Sequence, residues 1–276
     1  MIHSILLSGG TGFVGQPLRK VLFQKNIPVR LILRKPVDLF PNENAIYTEN
    51  LFNENEIFFK NALKNIQTVI HLAWYTEHGK YQNSPFNKIC KEKTILFAKM
   101  ALQENTKHFI GIGTCFEYQI SNEPLSLNAP LNPQTPYGKA KAECYLNLNH
   151  LFSHTSTRFS WGRLFYLFGE NENPNRLTPY IHHCLKNNEK IKIKNLKCVR
   201  DFLNTQEAAQ KIALLALSQP SKNSAYNLCS GKGISIENYV QSIAKHYQQN
   251  DFIDYATPQN NNEPQYIVGI PTDIPQ

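Results

Sequence analysis

A tyrosine and a lysine four residues apart are the side chains of this sequence best suited to moving a proton. Tyr137 and Lys141 stand in the segment YGKAK, which follows Pro133 and Pro136 and opens a helical pattern. Residues i and i+4 share one face of a helix, so the phenol and the ammonium are predicted to lie side by side. A neighbouring ammonium favours the phenolate and lowers the phenol's pKa from its usual value near 10. Tyr137 could then exchange a proton with a hydroxyl or a ketone.

A third polar residue, Thr114, is predicted to hold the reacting oxygen. It follows the apolar run FIGIG, at the carboxyl end of a predicted strand. Ligands of open α/β sheets bind outside these strand ends. Thr114, Tyr137 and Lys141 therefore form the predicted catalytic set. The alternative is that Thr114 only caps a turn and that the helix is merely amphipathic.

A glycine-rich loop between the first strand and the first helix predicts a dinucleotide site. Its glycines, Gly9, Gly12 and Gly15, have the spacing that allows a tight turn, close approach of a pyrophosphate and close packing of the helix. The free amides at the start of the helix would face the phosphates. The loop residues predicted to bind the cofactor are Gly9, Thr11, Gly12, Phe13, Val14 and Gly15, joined by Tyr137 and Lys141.

The end of the second strand indicates which nicotinamide cofactor binds. An acidic residue there would bond the ribose 2′-hydroxyl of NAD. The strand VRLIL is instead followed by Arg34 and Lys35, two cations that suit a 2′-phosphate. The sequence thus favours NADP(H), with NAD(H) possible, unless both side chains are only solvated surface charges.

These groups must be positioned by alternating strands and helices. Short apolar runs predict buried parallel strands at residues 4–7, 29–33, 69–72, 109–113 and 160–164, with a weaker strand at 45–48. Helical patterns lie near 13–25, 54–64, 86–104 and 136–152. The predicted fold is α/β, a Rossmann doubly wound parallel sheet with a small C-terminal α/β substrate-binding cap. The Rossmann domain is predicted to span residues 1–170 and the cap 171–276, with about 200–230 packing back on the Rossmann body.

Within the cap, the sequence predicts helices near 179–186, 206–217 and 236–247, an alternating segment at 190–195 and an irregular tail from Ala256. No run of 18 apolar residues occurs, and the first ten residues do not resemble a signal peptide. Six scattered cysteines without a CxxC pair indicate reduced thiols, no metal site and a cytoplasmic protein. The formal net charge of +8 suits a small anionic ligand. Without a nucleic-acid motif or interleaved aromatics, neither nucleic acid nor membrane is an expected partner.

Together these segments resemble the extended short-chain dehydrogenases, known as the NAD-dependent epimerase/dehydratase family. The motifs that carry the resemblance are GGTGFVG at 9–15, VIHLAW at 69–74, GIGTCFEY at 111–118, PYGKAK at 136–141, GRLFYLFG at 162–169, RDF at 200–202 and NLCSG at 227–231. The resemblance implies that Leu72, Ala73 and Trp74 run beside the cofactor, that Phe165 lies near the nicotinamide and that Arg200 binds a sugar-nucleotide diphosphate. It also implies a homodimer through the helices carrying residues 91–101 and 139–148. Arg176, in the polar loop after Gly169, is a further candidate for substrate binding.

The sequence departs from the family pattern at informative places. Ser8 replaces the leading threonine of the phosphate loop, and Cys90 stands where an asparagine is usual. Dehydratases of the family carry an Asp-Glu pair right after the catalytic threonine, where this chain has Cys115 and Phe116. With Glu117, these two residues are predicted to contact the substrate.

The sequence therefore predicts an NAD(P)-dependent oxidoreductase or epimerase acting on a nucleotide sugar at C4, with a ketoreductase or 4-epimerase favoured over a dehydratase. The alternative is a non-catalytic NADP-binding sensor or scaffold of the same fold.

Overall fold

The computed structural model describes residues 4–218, 224–249, 253–255 and 263–275. Its first half alternates strands and helices: β1 (Ile5–Ser8), α1 (Gly15–Gln24), β2 (Val29–Leu33), β3 (Glu43–Tyr47), α2 (Glu56–Leu63), β4 (Thr68–His71), α3 (Phe86–Gln103), β5 (His108–Thr114), α4 (Pro136–Phe152) and β6 (Arg158–Leu164). The second half contains β7 (Tyr166–Phe168), α5 (Leu177–Lys186), β8 (Val199–Asn204), α6 (Thr205–Leu217), β9 (Ser224–Leu228), β10 (Gly233–Ser235), α7 (Ile236–His246) and β11 (Tyr266–Ile267).

Seven parallel strands form the main sheet in the order β3-β2-β1-β4-β5-β6-β9. The apolar side chains of its central strands are buried on both faces, which is why these segments read as continuous hydrophobic runs. One face packs against α2, α3 and α4, and the other against α1 and α6. The predicted doubly wound Rossmann fold is confirmed, and all six predicted strands of the sheet are present.

A smaller sheet and two helices lie beyond β6. Strand β8 pairs with β10 in antiparallel fashion and with β7 and β11 in parallel fashion. Helices α5 and α7 enclose a separate apolar cluster around Ile181, Val240 and Ile243. The predicted small α/β cap is therefore present. After β8 the chain returns from the cap to the Rossmann body, where α6 packs on the main sheet and β9 forms its edge strand beside β6. The domain boundary at residue 170 stays a prediction.

The alternating segment at 190–195 forms one bridge, between Ile191 and Ile253. The expectation for the end of the cap needs correction. The tail from Ala256 was expected to be irregular. Residues 256–262 lie outside the described residues, but Tyr266 and Ile267 beyond them form β11, because β8 leaves an edge free to pair with them.

All six cysteines are buried and unpaired. Among the described residues, no helix combines the length and the apolar character needed to cross a bilayer. The same residues contain no cluster of three or more metal-ligating side chains.

Candidate active site

The glycine loop after β1 forms a tight turn through contacts between its own backbone atoms. Gly9 has φ +76°, in the region that favours glycine, and the Gly12 amide donates to the Gly9 carbonyl over 3.0 Å. A methyl group on Gly15 would lie 2.1 Å from the Gly9 carbonyl oxygen. Gly15 therefore lets α1 begin directly beneath the loop. The close contact that requires glycine at this position is with the backbone of the loop itself, whereas the sequence predicted a close contact between helix and sheet.

The start of α1 has the properties of an anion site. Val14 precedes the helix without any side-chain cap, and the first turn carries no acidic residue. The unused amides and the helix dipole then point out of the loop toward a phosphate. The segment after β4 lies against the same loop, because a methyl group on Gly9 would be 2.8 Å from the Ala73 amide nitrogen. This arrangement fits the pyrophosphate of a dinucleotide cofactor.

A buried histidine supports the loop from below. The Thr94 hydroxyl donates its hydrogen to the Cys90 carbonyl (2.7 Å), so it must accept one from His71 Nε2 (2.9 Å). His71 Nδ1 then accepts from the Ser8 hydroxyl (2.7 Å). The replacement of the usual threonine by Ser8 preserves this hydroxyl. Burial, aided by the charge of Lys141, lowers the pKa of His71 from 6.5 to about 3, so the ring is neutral, as expected for a core histidine.

This neutral histidine predicts a pH dependence of stability. Below pH 6.5 the unfolded chain binds a proton at His71 that the native chain does not bind until about pH 3, so unfolding becomes easier as the pH falls. Lowering the pH from 7 to 5.5 should cost about 1 kcal/mol through His71 alone. Urea unfolding of wild type and His71→Asn at both pH values measures it.

The exposed His78 provides the control, since His78→Asn should show the wild-type difference between the two pH values. An equal pH effect in wild type and His71→Asn would contradict the assignment of a neutral, buried His71.

Helix α4 begins so that Tyr137 and Lys141 fall on its inner face. The Thr135 side chain accepts a hydrogen bond from the Gly138 amide (3.1 Å), and Pro136 occupies the first helical position. A methyl group on Gly138 would lie 2.4 Å from the Phe116 carbonyl oxygen. Glycine there brings the first turn of α4 against the end of β5, where Thr114 is buried.

Tyr137 lies in an aromatic pocket. Its ring meets those of Tyr81 and Trp74 edge-on, with centroids 4.9 and 6.4 Å away. Burial is the main cause that raises the pKa of Tyr137 above its usual value, while a hydrogen bond with the Thr114 side chain acts in the opposite direction. In this environment Tyr137 is protonated at neutral pH, which suits a proton donor.

The Lys141 ammonium lies among the aromatic rings that surround Tyr137, and its predicted place beside the Tyr137 hydroxyl stays a prediction. The ammonium sits 3.7 Å from the centroid of the Trp74 indole ring and 6.0 Å from that of Tyr137. It donates to the Ile112 carbonyl over 2.6 Å. Burial lowers the pKa of Lys141 to about 8. The cation–π contact with Trp74, itself fixed by an indole hydrogen bond to Asn87 (2.8 Å), helps to hold the ammonium in this place.

Two of the predicted substrate contacts point inward. Cys115 is buried in a small cluster, and burial raises the pKa of its thiol to about 12. Glu117 is fully buried, and both of its carboxylate oxygens accept hydrogen bonds from protein groups. We therefore revise both assignments: neither side chain is available to a substrate. Phe116, between them, is only partly buried and meets the Tyr166 ring at 6.1 Å, so its role as a substrate contact stays a prediction.

Arg200 lies on the cap side of the same region. Its guanidinium is 5.4 Å from the Tyr166 ring centroid and 3.6 Å from the Glu263 carboxylate, and it donates to its neighbour's carbonyl at Val199 (2.9 Å). The adjacent Asp201 does not pair with it. The Asp201 carboxylate accepts from the Ser230, Gly231 and Gly269 amides instead.

The remaining residues predicted to bind cofactor or substrate, Arg34, Lys35, Arg176 and Phe165, lie in different surroundings. Arg34 and Lys35 are exposed beyond β2 and form no ion pair with any residue that the structure describes. Arg176 pairs with Glu172 (3.4 Å) and lies 5.7 Å from the Phe13 ring, beside the phosphate loop. Phe165 is buried against Gly269. None of these positions excludes the predicted roles, which stay predictions.

Several residues at the site were missed at the level of sequence. Tyr81 covers Tyr137, Asn87 fixes Trp74, and Arg163 and Trp161 hold Glu117. Only Arg163 stands in a segment that carried a signal, the GRLFYLFG motif. The others, Tyr81 in a turn, Asn87 in α3 and Trp161 in β6, have a spacing to the site that is set by the fold.

The site can now be compared with known proteins. A family model described as NAD dependent epimerase/dehydratase family matches residues 5–229. The chain belongs to this family. The resemblance stated from the motifs is thereby confirmed.

Three similar proteins share a quarter or less of their residues with this chain. The chain is 25% identical over 252 residues to the dTDP-6-deoxy-L-talose 4-dehydrogenase (NAD(+)) of Aggregatibacter actinomycetemcomitans, covering 88% of this chain and 90% of the relative. It is 22% identical over 286 residues to the dTDP-4-dehydro-6-deoxyglucose reductase of Escherichia coli, covering 97% and 89%. A solved UDP-N-acetylglucosamine 4-epimerase from Methanobrevibacter ruminantium M1, in complex with UDP-N-acetylmuramic acid, superposes with a TM-score of 0.85 at 20% identity, covering 98% of this chain and 90% of that one.

Proposed function

We propose that this family member is a nicotinamide-dependent oxidoreductase that reduces a 4-keto group of a nucleoside-diphosphate sugar. The observation that carries the proposal is the convergence of Thr114 and Tyr137 at the end of β5, with Lys141 one helical turn further. They lie next to a loop that fits a dinucleotide. Two relatives named as 4-dehydrogenase and 4-keto-sugar reductase support the reaction class.

The protein groups divide the chemistry among them. A bound nicotinamide would supply the hydride. Thr114 and Tyr137 hold the keto oxygen, and the protonated Tyr137 donates its proton as the oxygen gains charge. The Lys141 ammonium, partly desolvated, stabilises the phenolate that results. Trp74 and Tyr81 exclude water from this proton transfer.

The positions after Thr114 disfavour a dehydratase. Removing a ring proton and expelling water needs carboxylates near the substrate. Cys115 and Phe116 carry none, and the nearby Glu117 is engaged on both oxygens. A 4-epimerase uses the same tyrosine and stays the alternative within the family.

We propose NADP(H) as the preferred cofactor. The side chains of Arg34 and Lys35 are exposed after β2, where a 2′-phosphate would lie. Arg34→Ala should weaken NADPH binding by about ten- to a hundredfold, the loss of one charge-assisted hydrogen bond, and leave NADH binding almost unchanged. Fluorescence titration with both cofactors measures this.

Lys20 offers a matched control, since it is an exposed cation of α1 that pairs with Glu170 at 3.7 Å. Lys20→Ala should leave the ratio of the two affinities near wild type. A wild-type preference for NADH, or equal losses for both cofactors in Arg34→Ala, would contradict the proposal.

We also propose that the chain forms a homodimer through α3 and α4. These helices are joined by an ion pair between Lys91 and Glu143 (2.5 Å), and they expose Phe86, Ile89 and Leu146. Exposed apolar side chains on adjacent helices are typical of a covered face. Sedimentation measures the mass of the assembly directly.

The proposed substrate class is tested by ligand stabilisation and by turnover. Of the nucleotides UDP, dTDP, CDP and GDP, at least one should raise the melting temperature of the wild-type protein at millimolar concentration, because ligands that bind only the native state stabilise it. The chain should also oxidise NADPH in the presence of dTDP-4-dehydro-6-deoxyglucose, the substrate named for the Escherichia coli relative. If no nucleotide stabilises the protein, the assignment to sugar nucleotides is wrong.

A further inference from the structure

A buried carboxylate stands directly behind the candidate active site. Glu117 belongs to the short turn after β5, and none of its surface is exposed. Its Oε1 accepts from the Thr114 amide (2.8 Å) and from the Trp161 indole (3.0 Å), and its Oε2 accepts from Arg163 Nε (2.6 Å). The carboxylate therefore connects the backbone of the predicted catalytic threonine to two side chains of β6.

The sheet is shaped to admit this carboxylate. A methyl group on Gly113 would lie 2.1 Å from Glu117 Oε1 and 2.2 Å from the Trp161 indole nitrogen. Only glycine leaves the space that brings Glu117 against β5. This close approach forms a reciprocal capping box, in which the Thr114 hydroxyl accepts from the following turn and Glu117 accepts from the Thr114 amide.

The arginine is itself held from the far side. Arg163 Nη1 donates to the Tyr118 hydroxyl (2.9 Å), which donates to the Asn227 side chain (2.7 Å). The Arg163 guanidinium also stacks between the rings of Tyr118 and Tyr145, at 4.6 and 4.7 Å. The position of Glu117 is thus determined by side chains from β6, α4 and β9.

Stability alone is a weak reason for such an arrangement. Burying two charges costs desolvation energy, and well-packed apolar residues in their place are often equally or more stable. An apolar pair could not accept a hydrogen bond from the Thr114 amide. It therefore could not fix the backbone that carries the reacting hydroxyl. Errors of about 1 Å in a reacting group can lower a rate by about a hundredfold.

We propose that the buried Glu117–Arg163 pair is a positioning device that holds Thr114 in its reactive place. The proposal rests on the proposed function of Thr114, and it replaces the earlier assignment of Glu117 as a substrate contact. Glu117 then acts through Thr114 and does not itself touch the substrate.

The test compares Glu117→Gln with Tyr118→Phe. An amide at 117 must point its NH₂ group at Arg163 or at the Thr114 amide, so one donor loses its acceptor. Tyr118→Phe removes hydrogen bonds of the same network, those with Arg163 and Asn227, but leaves the contact between Glu117 and Thr114. Both variants should lose stability, and only Glu117→Gln should disturb Thr114.

Two readouts decide the proposal. Hydrogen exchange of the Thr114 amide, resolved by NMR, should be at least about tenfold faster in Glu117→Gln than in Tyr118→Phe, because its acceptor is lost. With NADPH and dTDP-4-dehydro-6-deoxyglucose, kcat should fall by about 10- to 100-fold in Glu117→Gln with both KM values unchanged. Tyr118→Phe should keep kcat within about threefold of wild type.

Unchanged exchange at Thr114 in Glu117→Gln overturns the proposal, as does equal loss of kcat in the two variants. If Glu117→Gln does not fold, Glu117→Asp, which keeps the charge but shortens the side chain by one methylene and so draws the acceptor away from the Thr114 amide, must accelerate exchange at Thr114 and lower kcat. The absence of either effect also overturns the proposal. If the wild type turns over no keto sugar, the proposed function fails, while the exchange readout still decides how Thr114 is held.

Discussion

Tyr137→Phe is expected to lower kcat by about 10²–10⁴-fold, the usual contribution of a positioned general acid. The phenyl ring keeps the edge-on contacts with Tyr81 and Trp74, so the aromatic pocket should stay intact. Only the hydroxyl that shares a hydrogen bond with Thr114 is lost. The measurement is steady-state turnover of NADPH with dTDP-4-dehydro-6-deoxyglucose.

Cofactor affinity distinguishes a catalytic role from a structural one in this variant. Titration with NADPH should give a Kd within about threefold of wild type, since binding that does not involve the reacting proton is spared. Tyr81→Phe is the matched control, because it removes a hydroxyl from the same pocket without removing the proton donor. Wild-type turnover in Tyr137→Phe would eliminate the proposed mechanism, whereas a wild-type protein that binds NADPH without turning over any keto sugar would favour the cofactor-binding sensor or scaffold.

Arg200→Ala is expected to weaken binding of the nucleotide sugar by about 30- to several thousand-fold, since losing a buried charge-assisted contact costs about 2–5 kcal/mol. Arg200 is almost fully buried between Tyr166 and the cap, and a planar guanidinium can grip a diphosphate with two hydrogen bonds. Arg200→Lys keeps the charge but cannot form that fork, so KM should rise less while kcat is mostly spared.

The ion pair with Glu263 supplies the alternative, in which Arg200 only holds the cap. Glu263→Gln breaks the same ion pair but leaves the guanidinium in place. If Arg200 binds the diphosphate, Glu263→Gln keeps the thermal stabilisation by the best of the four nucleotides, and Arg200→Ala abolishes it. A lower melting temperature in both variants, with nucleotide stabilisation retained in both, would assign Arg200 to the cap alone.

Much of the fold is readable from local patterns. The apolar runs of β1, β2, β4 and β5 are buried on both faces, so their composition alone marks them as central parallel strands. Part of the glycine spacing at 9–15 is equally local, because the contacts that require Gly12 and Gly15 are with atoms of the loop itself, whereas Gly9 meets Leu72 and Ala73 after β4. The phosphate loop, the sheet and the first turn of α4 were therefore predicted close to their observed bounds.

The cap was less predictable, for a physical reason. Strands β8 and β9 lack the continuous apolar runs of the central strands, since β8 mixes charged and apolar residues in VRDFLN and β9 mixes polar and apolar residues in SAYNL. Their pairing is decided by edges that the rest of the fold leaves open. The tail strand β11 likewise forms only because Val199 and Arg200 present a free edge to Tyr266 and Ile267.

The amino-acid sequence by itself determined the Rossmann sheet, the cofactor loop and the identity of Thr114, Tyr137 and Lys141 as the candidates for chemistry, because these depend on residue type and on spacing of a few positions. Only the tertiary structure decided what surrounds them. The Lys141 ammonium lies over the ring of Trp74, which is 67 residues earlier in the chain. Arg163 pairs with Glu117, which is 46 residues earlier. Such contacts join separate strands and helices, and desolvation makes them strong or costly according to geometry that no local spacing contains.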